Sequence, residues 1–350
     1  MASTSASTPS LPPVQTVWRI VRSGDPAKAL VKDENAPVPK KIPKGYVLVK
    51  IQAASLNPVG FKLMQLAPNS FLQRVAENDF AGEVVDPNGE PRFKIGDQVF
   101  GTIPIPDSIK TGQGALAQYS YAPAKSIAHR PEGIPPNEAS GIPIVAVTAH
   151  AALYQIGKLE AGQRIFINGG TTSVGLYAVQ IAKALGCKVY ASASGKNEEF
   201  LRNLGVDEFY DYTKQPIHEA LVQNPPSSKF DVILEAVGNA FVPLYTHSEA
   251  YLAPNGAYIS VGPTPHGLGE TLSLLWNVFL RPKWAGGTRR RFKFIIPSKT
   301  GELLDEIAKM ITDGKVKPFI DSVYKFDDVL SAYDKILIGH ARGKIVVETA

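Results

Sequence analysis

The stretch that most constrains this chain is INGGTTSVGLYAVQIAKALG, residues 167–186. An apolar run ends at Asn168, the chain turns through Gly169 and Gly170, and helical apolar spacing then runs from near Ser173 to Gly186. Glycine allows a left-handed or closely approached turn without steric cost. A helix begun there presents its unpaired first-turn amides and positive dipole end at the turn, an anion site of the pyrophosphate type. Thr171, Thr172 and Ser173 add short hydroxyls without bulk, and Gly175 lets the helix pack closely. The strict G-x-G-x-x-G spacing is broken, so an ordinary strand–turn–helix stays open on these residues alone.

The flanking sequence extends the pattern. Helical spacing runs over 144–158 and ends at Gly157. RIFING, VGLYAVQIAKAL, KVYASAS, NEEFLRNLG, EFYDY, FDVILEAVG and GAYISVG then read as strands and helices of a parallel sheet. Before Pro143, YVLVKIQAASL, FAGEVV, GDQVFGTI and ALAQYSYA read as short strands broken by Pro, Gly and Asn, which predicts a compact β barrel or sandwich. Near the C-terminus, TGELLDEIAKMITDGKV and FDDVLSAYDKILIG read as helices and GKIVVE as a strand. The fold class expected is α/β, a β barrel joined to a doubly wound parallel sheet.

A length of 350 residues favours two domains. No run approaches 18 uncharged apolar residues, so no membrane span is expected. Cys187 is the one cysteine, which excludes an internal disulfide and a cysteine-type metal site and suits a reducing compartment. Residues 1–15 carry no charged side chain and lack the arginines or apolar centre of a targeting segment; they read as a disordered tail of a cytoplasmic protein. The six histidines (129, 150, 218, 247, 266 and 340) show no ligand spacing, so no metal is expected. The cluster Arg281, Lys283, Arg289, Arg290, Arg291 and Lys293 lacks interleaved stacking aromatics, which argues for a solvated rim and against a nucleic-acid interface.

The strand KVYASAS indicates the cofactor. In a dinucleotide fold an acid at the end of this strand holds the ribose 2′-hydroxyl and repels a 2′-phosphate. Here the end offers Ser194, Gly195, Lys196 and Asn197, with no carboxylate before Glu198. Hydroxyl, ammonium and amide suit a phosphate, so NADPH is expected over NADH.

Taken in order, AASLNPVGFK, NDFAGEVV, FKIGDQVFG, GALAQYSYAPA, IPIVAVTAHAAL, GGTTSVG, LGVDEFYDY, FDVILEAVGN and ARGKIVVE resemble the medium-chain dehydrogenase/reductase superfamily over nearly the whole chain. The match is to its zinc-independent quinone oxidoreductase branch and to fungal trans-acting enoyl reductases of the "zinc-binding dehydrogenase" type. The resemblance implies a GroES-like catalytic domain over 16–140, completed by 290–350, and a Rossmann NADPH-binding domain over 141–289. It implies that Thr171, Thr172, Ser173 and Val174 sit at the pyrophosphate, and that Ser194, Lys196 and Tyr212, beside Asn197, surround the 2′-phosphate. It places Thr148 near the nicotinamide, with Val261 and Gly262 lining its pocket and Lys344 and Ile345 closing over it.

Two departures stand out. Zinc-dependent members carry Cys where Asn57 stands, Gly-His-Glu where residues 77–79 (END) stand, and a four-cysteine lobe that is absent here. Relatives also often carry Asp where Gly60 stands.

Without a metal, alcohol oxidation loses its Lewis acid, and NADPH-dependent reduction of an activated C=C (enone, enoyl or quinone) fits better. Lys62 is the candidate for stabilising the enolate or holding the cofactor, with a surface lysine as the alternative. Asn57 is the candidate donor to a carbonyl or nicotinamide, with an Asn-Pro turn as the alternative. Two other functions stay open. One is a trans-acting enoyl reductase whose partner is an acyl carrier domain held by the 281–293 cluster; the other is a non-catalytic NADPH-binding protein. The helix SLLWNVFLRP has an apolar face that would cover a pocket or form a dimer seam, so monomer and homodimer are both open. Loops 64–78, 103–113 and 263–292 are expected to shape the substrate pocket.

Overall fold

The computed structural model describes residues 11–66, 73–238, 241–262, 268–295 and 300–349. Parts of the loops 64–78 and 263–292, and residues 1–10 of the expected tail, therefore lie outside the described residues. The chain divides into two units. One comprises Met1–Val147, Ser298–Gly314 and Pro318–Ala350, the other Thr148–Pro297 and Lys315–Lys317.

In the first unit, a seven-stranded sheet runs in the order Ile320–Lys325, Lys344–Glu348, Tyr46–Ser55, Asp79–Asp86, Gln98–Thr102 and Ile127–His129, with Tyr119–Pro123 also on Tyr46–Ser55. Its pairs are antiparallel except Ile320–Lys325 with Lys344–Glu348. A smaller sheet places Val14–Ile20 between Leu30–Pro37 and Arg74–Val75. This is the GroES-like domain. In the central strand Val47, Val49 and Ile51 are buried as the alternation predicts, but Leu48 is buried too, because strands flank it and both faces are covered. The first strand begins at Val14, inside the stretch expected to be a tail. Gln15 is buried there, its side-chain oxygen accepting from the Tyr119 amide at 2.7 Å. The C-terminal return is tied to this strand by Trp18, whose indole Nε1 donates to the Phe326 carbonyl at 2.8 Å.

The second unit holds a six-stranded parallel sheet in the order Glu208–Asp211, Lys188–Ala193, Arg164–Asn168, Phe230–Glu235, Leu252–Ser260 and Arg291–Phe294. The chain builds outward from Arg164–Asn168 on one side, then crosses to Phe230–Glu235 on the other. That reversal is where doubly wound folds open their ligand crevice. The sixth strand lies beyond the boundary expected at 289. Its alternation of Phe292 and Phe294 with Arg291 and Lys293 is hidden in a charged run, yet Phe292 stacks on Tyr258 with ring centroids 5.5 Å apart. Short helices Pro58–Leu66, Ile105–Thr111 and Pro136–Ser140 interrupt what reads as an all-strand region. Among the described residues no helix is long and apolar enough to cross a membrane.

Candidate functional site

In the second unit, helix Ser173–Ala184 starts at the switch point. Thr172 caps it: its hydroxyl accepts from the Gly175 amide at 3.0 Å and donates to the Gly169 carbonyl at 2.9 Å. Gly169 takes the left-handed φ of +86°. A Cβ on Gly175 would lie 2.1 Å from the Gly169 carbonyl oxygen, so the close approach is to the turn rather than to the sheet face. Thr171, Ser173 and Val174 are half-buried at the same helix end. The hydroxyl of Thr172 is thus engaged in building the turn.

Beneath the turn lies a buried polar lattice that sequence reasoning missed. Ser192 Oγ donates to Asn168 Oδ1 at 2.7 Å and accepts from the Gly169 amide at 3.0 Å. Asn168 Nδ2 reaches Glu235 Oε1 at 3.3 Å, and the Val237 and Gly238 amides donate to the same oxygen at 2.9 and 3.0 Å. Burial pushes the Glu235 carboxyl up, against the pull of these donors. The only trace in the sequence is a charge ending the apolar run FDVILE.

The neighbouring strand ends bring together the residues expected at a 2′-phosphate. Ser194 Oγ accepts from Asn197 Nδ2 at 2.9 Å, Lys196 is exposed between them, and the Tyr212 amide donates to the Ala193 carbonyl at 3.3 Å. Two of the nearby acids, Glu198 and Asp211, are engaged. Glu198 pairs with Arg202 at 2.8 Å, and Asp211 accepts from the Thr213 amide and hydroxyl and from the Gly195 amide, which hold its carboxyl below the usual range. Val261 and Gly262 follow the strand Leu252–Ser260 on the same sheet edge, where the Val261 amide donates to the Glu235 carbonyl at 3.1 Å. Gly262 has φ +119°, and among the described residues nothing lies within 4 Å of where a Cβ would stand. Thr148 lies buried in the helix Pro143–His150.

In the first unit, the structure draws Lys344 and Ile345 inward. Ile345 joins the hydrophobic core, because both faces of its strand are covered. Lys344 is 3% exposed, and its Nζ donates to Asn57 Oδ1 at 2.6 Å and to the Leu56 carbonyl at 2.8 Å, with Asp79 Oδ2 at 3.7 Å. Asn57 in turn donates from Nδ2 to Asp79 Oδ2 at 3.1 Å and to the Ser55 carbonyl at 3.5 Å. The Asn57 side-chain amide, expected as a donor to a carbonyl or nicotinamide, is directed to these two acceptors. Glu77 and Arg74 complete the cluster: Tyr333 donates to Glu77 Oε1 at 2.6 Å, the Asn57 amide donates to Oε2 at 3.1 Å, and Arg74 donates to Ser108 at 2.9 Å. Burial pushes the Glu77 carboxyl up to about 7 and the Lys344 amine down.

Lys62 projects from the helix Pro58–Leu66, half-buried, and that burial lowers its pKa. An ammonium, rather than an opening for a metal, sits among the donors of residues 57–79, so this donor set does not fit zinc. Among the described residues no three of His, Cys, Asp and Glu come together as metal ligands.

Comparison with known proteins agrees with this fold. The family model of the alcohol dehydrogenase GroES-like domain matches residues 43–135, and that of the zinc-binding dehydrogenase matches residues 204–347. The trans-enoyl reductase pgmF of Aspergillus terreus is 32% identical over 363 residues, covering 97% of each chain. The chloroplastic quinone-oxidoreductase QR1 of Triphysaria versicolor is 32% identical over 329 residues, covering 91% of this chain and 94% of that one. The quinone oxidoreductase structure from Coxiella burnetii superposes with a TM-score of 0.80 at 25% identity, covering 96% of this chain and 99% of that chain. The chain belongs to the medium-chain dehydrogenase/reductase family of oxidoreductases, in the branch of its quinone oxidoreductases and trans-enoyl reductases.

Proposed function

We propose that the protein is an NADPH-dependent reductase of an activated C=C, in an enone, enoyl or quinone substrate, working without a metal. The observation that carries the reading is the sheet edge of the second unit. There a capped helix N-terminus at the switch point stands beside a strand end with Ser194, Lys196 and Asn197, where Glu198 is paired with Arg202 and Asp211 is held by Thr213. Thr171, Ser173 and Val174 would hold the pyrophosphate, Ser194, Lys196 and Tyr212 the 2′-phosphate, and Val261, Gly262 and Thr148 the nicotinamide end.

The chemistry a bound nicotinamide would supply is a hydride to the β carbon of the conjugated system. Negative charge then develops on the carbonyl oxygen and needs a fixed donor. Lys62 is that donor; its partly desolvated ammonium is a stronger electrostatic partner than a fully hydrated one. Asn57 and Lys344 act as positioning residues that lock the start of the Lys62 helix.

The test is a fluorescence titration of NADPH and NADH against the protein and Lys196→Ala. The reading requires tighter NADPH binding that Lys196→Ala erases, followed by NADPH oxidation with an enone or quinone. Equal affinity for both nucleotides would end the NADPH assignment, and no binding of either would end the nucleotide-binding reading altogether.

A second reading has its own observation. Leu272, Leu275, Trp276, Phe279, Leu280 and Trp284 are exposed, Trp284 at 90%, in a stretch of sequence that also carries Arg281, Lys283 and Arg289. Exposed apolar residues interspersed with cations suit an acidic acyl carrier domain presenting a tethered substrate. Carrier binding that weakens steeply with salt, and is lost in Trp284→Ala, supports it; salt-independent or absent binding removes it.

A further inference from the structure

We propose that Glu77 is a positioning residue that fixes residues 57–66, and through them Lys62, by placing its carboxylate in the volume left by the missing side chain of Gly60. This rests on Lys62 being the donor in the reductase reading above.

Gly60 sits in the first turn of the helix Pro58–Leu66, where the backbone itself does not demand glycine. Space demands it. A Cβ at 60 would lie 2.3 Å from Glu77 Oε1 and 3.0 Å from Oε2. Glu77 meets a matching constraint, because its φ of +58° is a left-handed conformation that a residue with a long side chain seldom adopts. Such conformations persist only where the surroundings over-determine them. Here they do: the Glu77 carbonyl accepts from the Ala115 amide at 2.9 Å, and its carboxylate accepts from the Tyr333 hydroxyl and the Asn57 amide. Arg74, Lys344, Asp79 and Tyr333 are the charged and titratable groups around it.

A buried carboxylate on a strained backbone is a costly way to fill space that an alanine at 60 would fill. Its effect is directional. It grips the Asn57 amide at the start of the helix whose second turn carries Lys62, and the Asn57 side chain already joins Lys344 to Asp79.

The test is a cycle of Glu77→Gly, Gly60→Asp and the double variant, with Glu77→Gln added as the least disruptive change. Two readouts need no turnover: thermal melting, and the acylation rate of Lys62 by a small amine-reactive ester against pH, followed by peptide mass spectrometry. A third is kcat and KM for an enone with NADPH. Glu77→Gly and Glu77→Gln are expected to change Lys62 acylation several-fold and to lower kcat more than they raise KM. Gly60→Asp alone is expected to melt lowest, with two carboxylates in one volume, and the double variant to restore Lys62 acylation towards wild type.

Unchanged Lys62 acylation in both Glu77 variants, or a double variant no better than its singles, overturns the proposal; a purely structural role would move melting alone. If the cycle behaves as expected but wild type reduces no enone, the positioning holds and the reductase reading falls. If enones are reduced and the cycle is flat, the positioning falls by itself.

Discussion

The ammonium of Lys344 lies 2.6 Å from the Asn57 side-chain oxygen and 3.7 Å from the Asp79 carboxylate, with Lys344 3% and Asp79 0% exposed. A pair this deep gains most of its value from being complete, because removing one partner strands the other charge. Lys344→Met should cost roughly 3–5 kcal/mol in urea unfolding of the first unit. Adding Asp79→Asn should recover part of that loss. A Lys344→Met protein as stable as wild type would show that the ammonium is not what neutralises Asp79.

Glu77 gives stability a definite pH slope. Burial raises its carboxyl from 4.5 to about 7 in the folded protein, against the pull of Tyr333, Lys344 and the Asn57 amide. The folded state therefore holds this proton more tightly than the unfolded chain. The associated stability is fully present below pH 4.5 and is lost as pH rises through about 7. Urea unfolding between these values should show wild type declining relative to Glu77→Gln, which cannot titrate. Parallel curves for the two proteins would contradict the raised pKa.

Gly175→Ala tests the turn at the switch point. The new methyl would meet the Gly169 carbonyl oxygen at 2.1 Å, and that atom is backbone and cannot swing away. A stability loss of about 1–3 kcal/mol is expected. Nucleotide affinity should fall by a larger factor than in Thr172→Ser, which keeps the cap. Wild-type affinity in Gly175→Ala would separate the turn from nucleotide binding.

Glu235→Gln probes the buried lattice beneath that turn. The carboxylate faces donors: the amides of Val237 and Gly238, Asn168 Nδ2 and the Ser260 hydroxyl at 3.4 Å. A glutamine sets an NH2 group against them, so a loss of about 1–3 kcal/mol is expected by chemical denaturation. Glu235→Gln with wild-type stability would mean that the lattice relaxes around the amide.

How much of this was legible in the sequence follows from the range of the forces involved. The turn at Gly169, the helix from Ser173 and the parallel strands were legible because glycine conformation, capping and apolar periodicity act over a few residues. That Ser194, Lys196 and Asn197 lie together was legible for the same reason, since they are consecutive or nearly so and share one strand end. The sixth strand was not, because its pairing with Leu252–Ser260 outweighs the charges that mask Phe292 and Phe294. Nor was the buried cluster of the first unit. Asn57 and Lys344 stand 287 residues apart, and Glu77 and Tyr333 stand 256 apart. No local pattern says that a lysine in GKIVVE will turn inward to an asparagine in LNP, or that Glu77 needs the room Gly60 leaves. Those relationships exist only once the C-terminal strand has paired with Tyr46–Ser55, when desolvation compels each charge to find a partner.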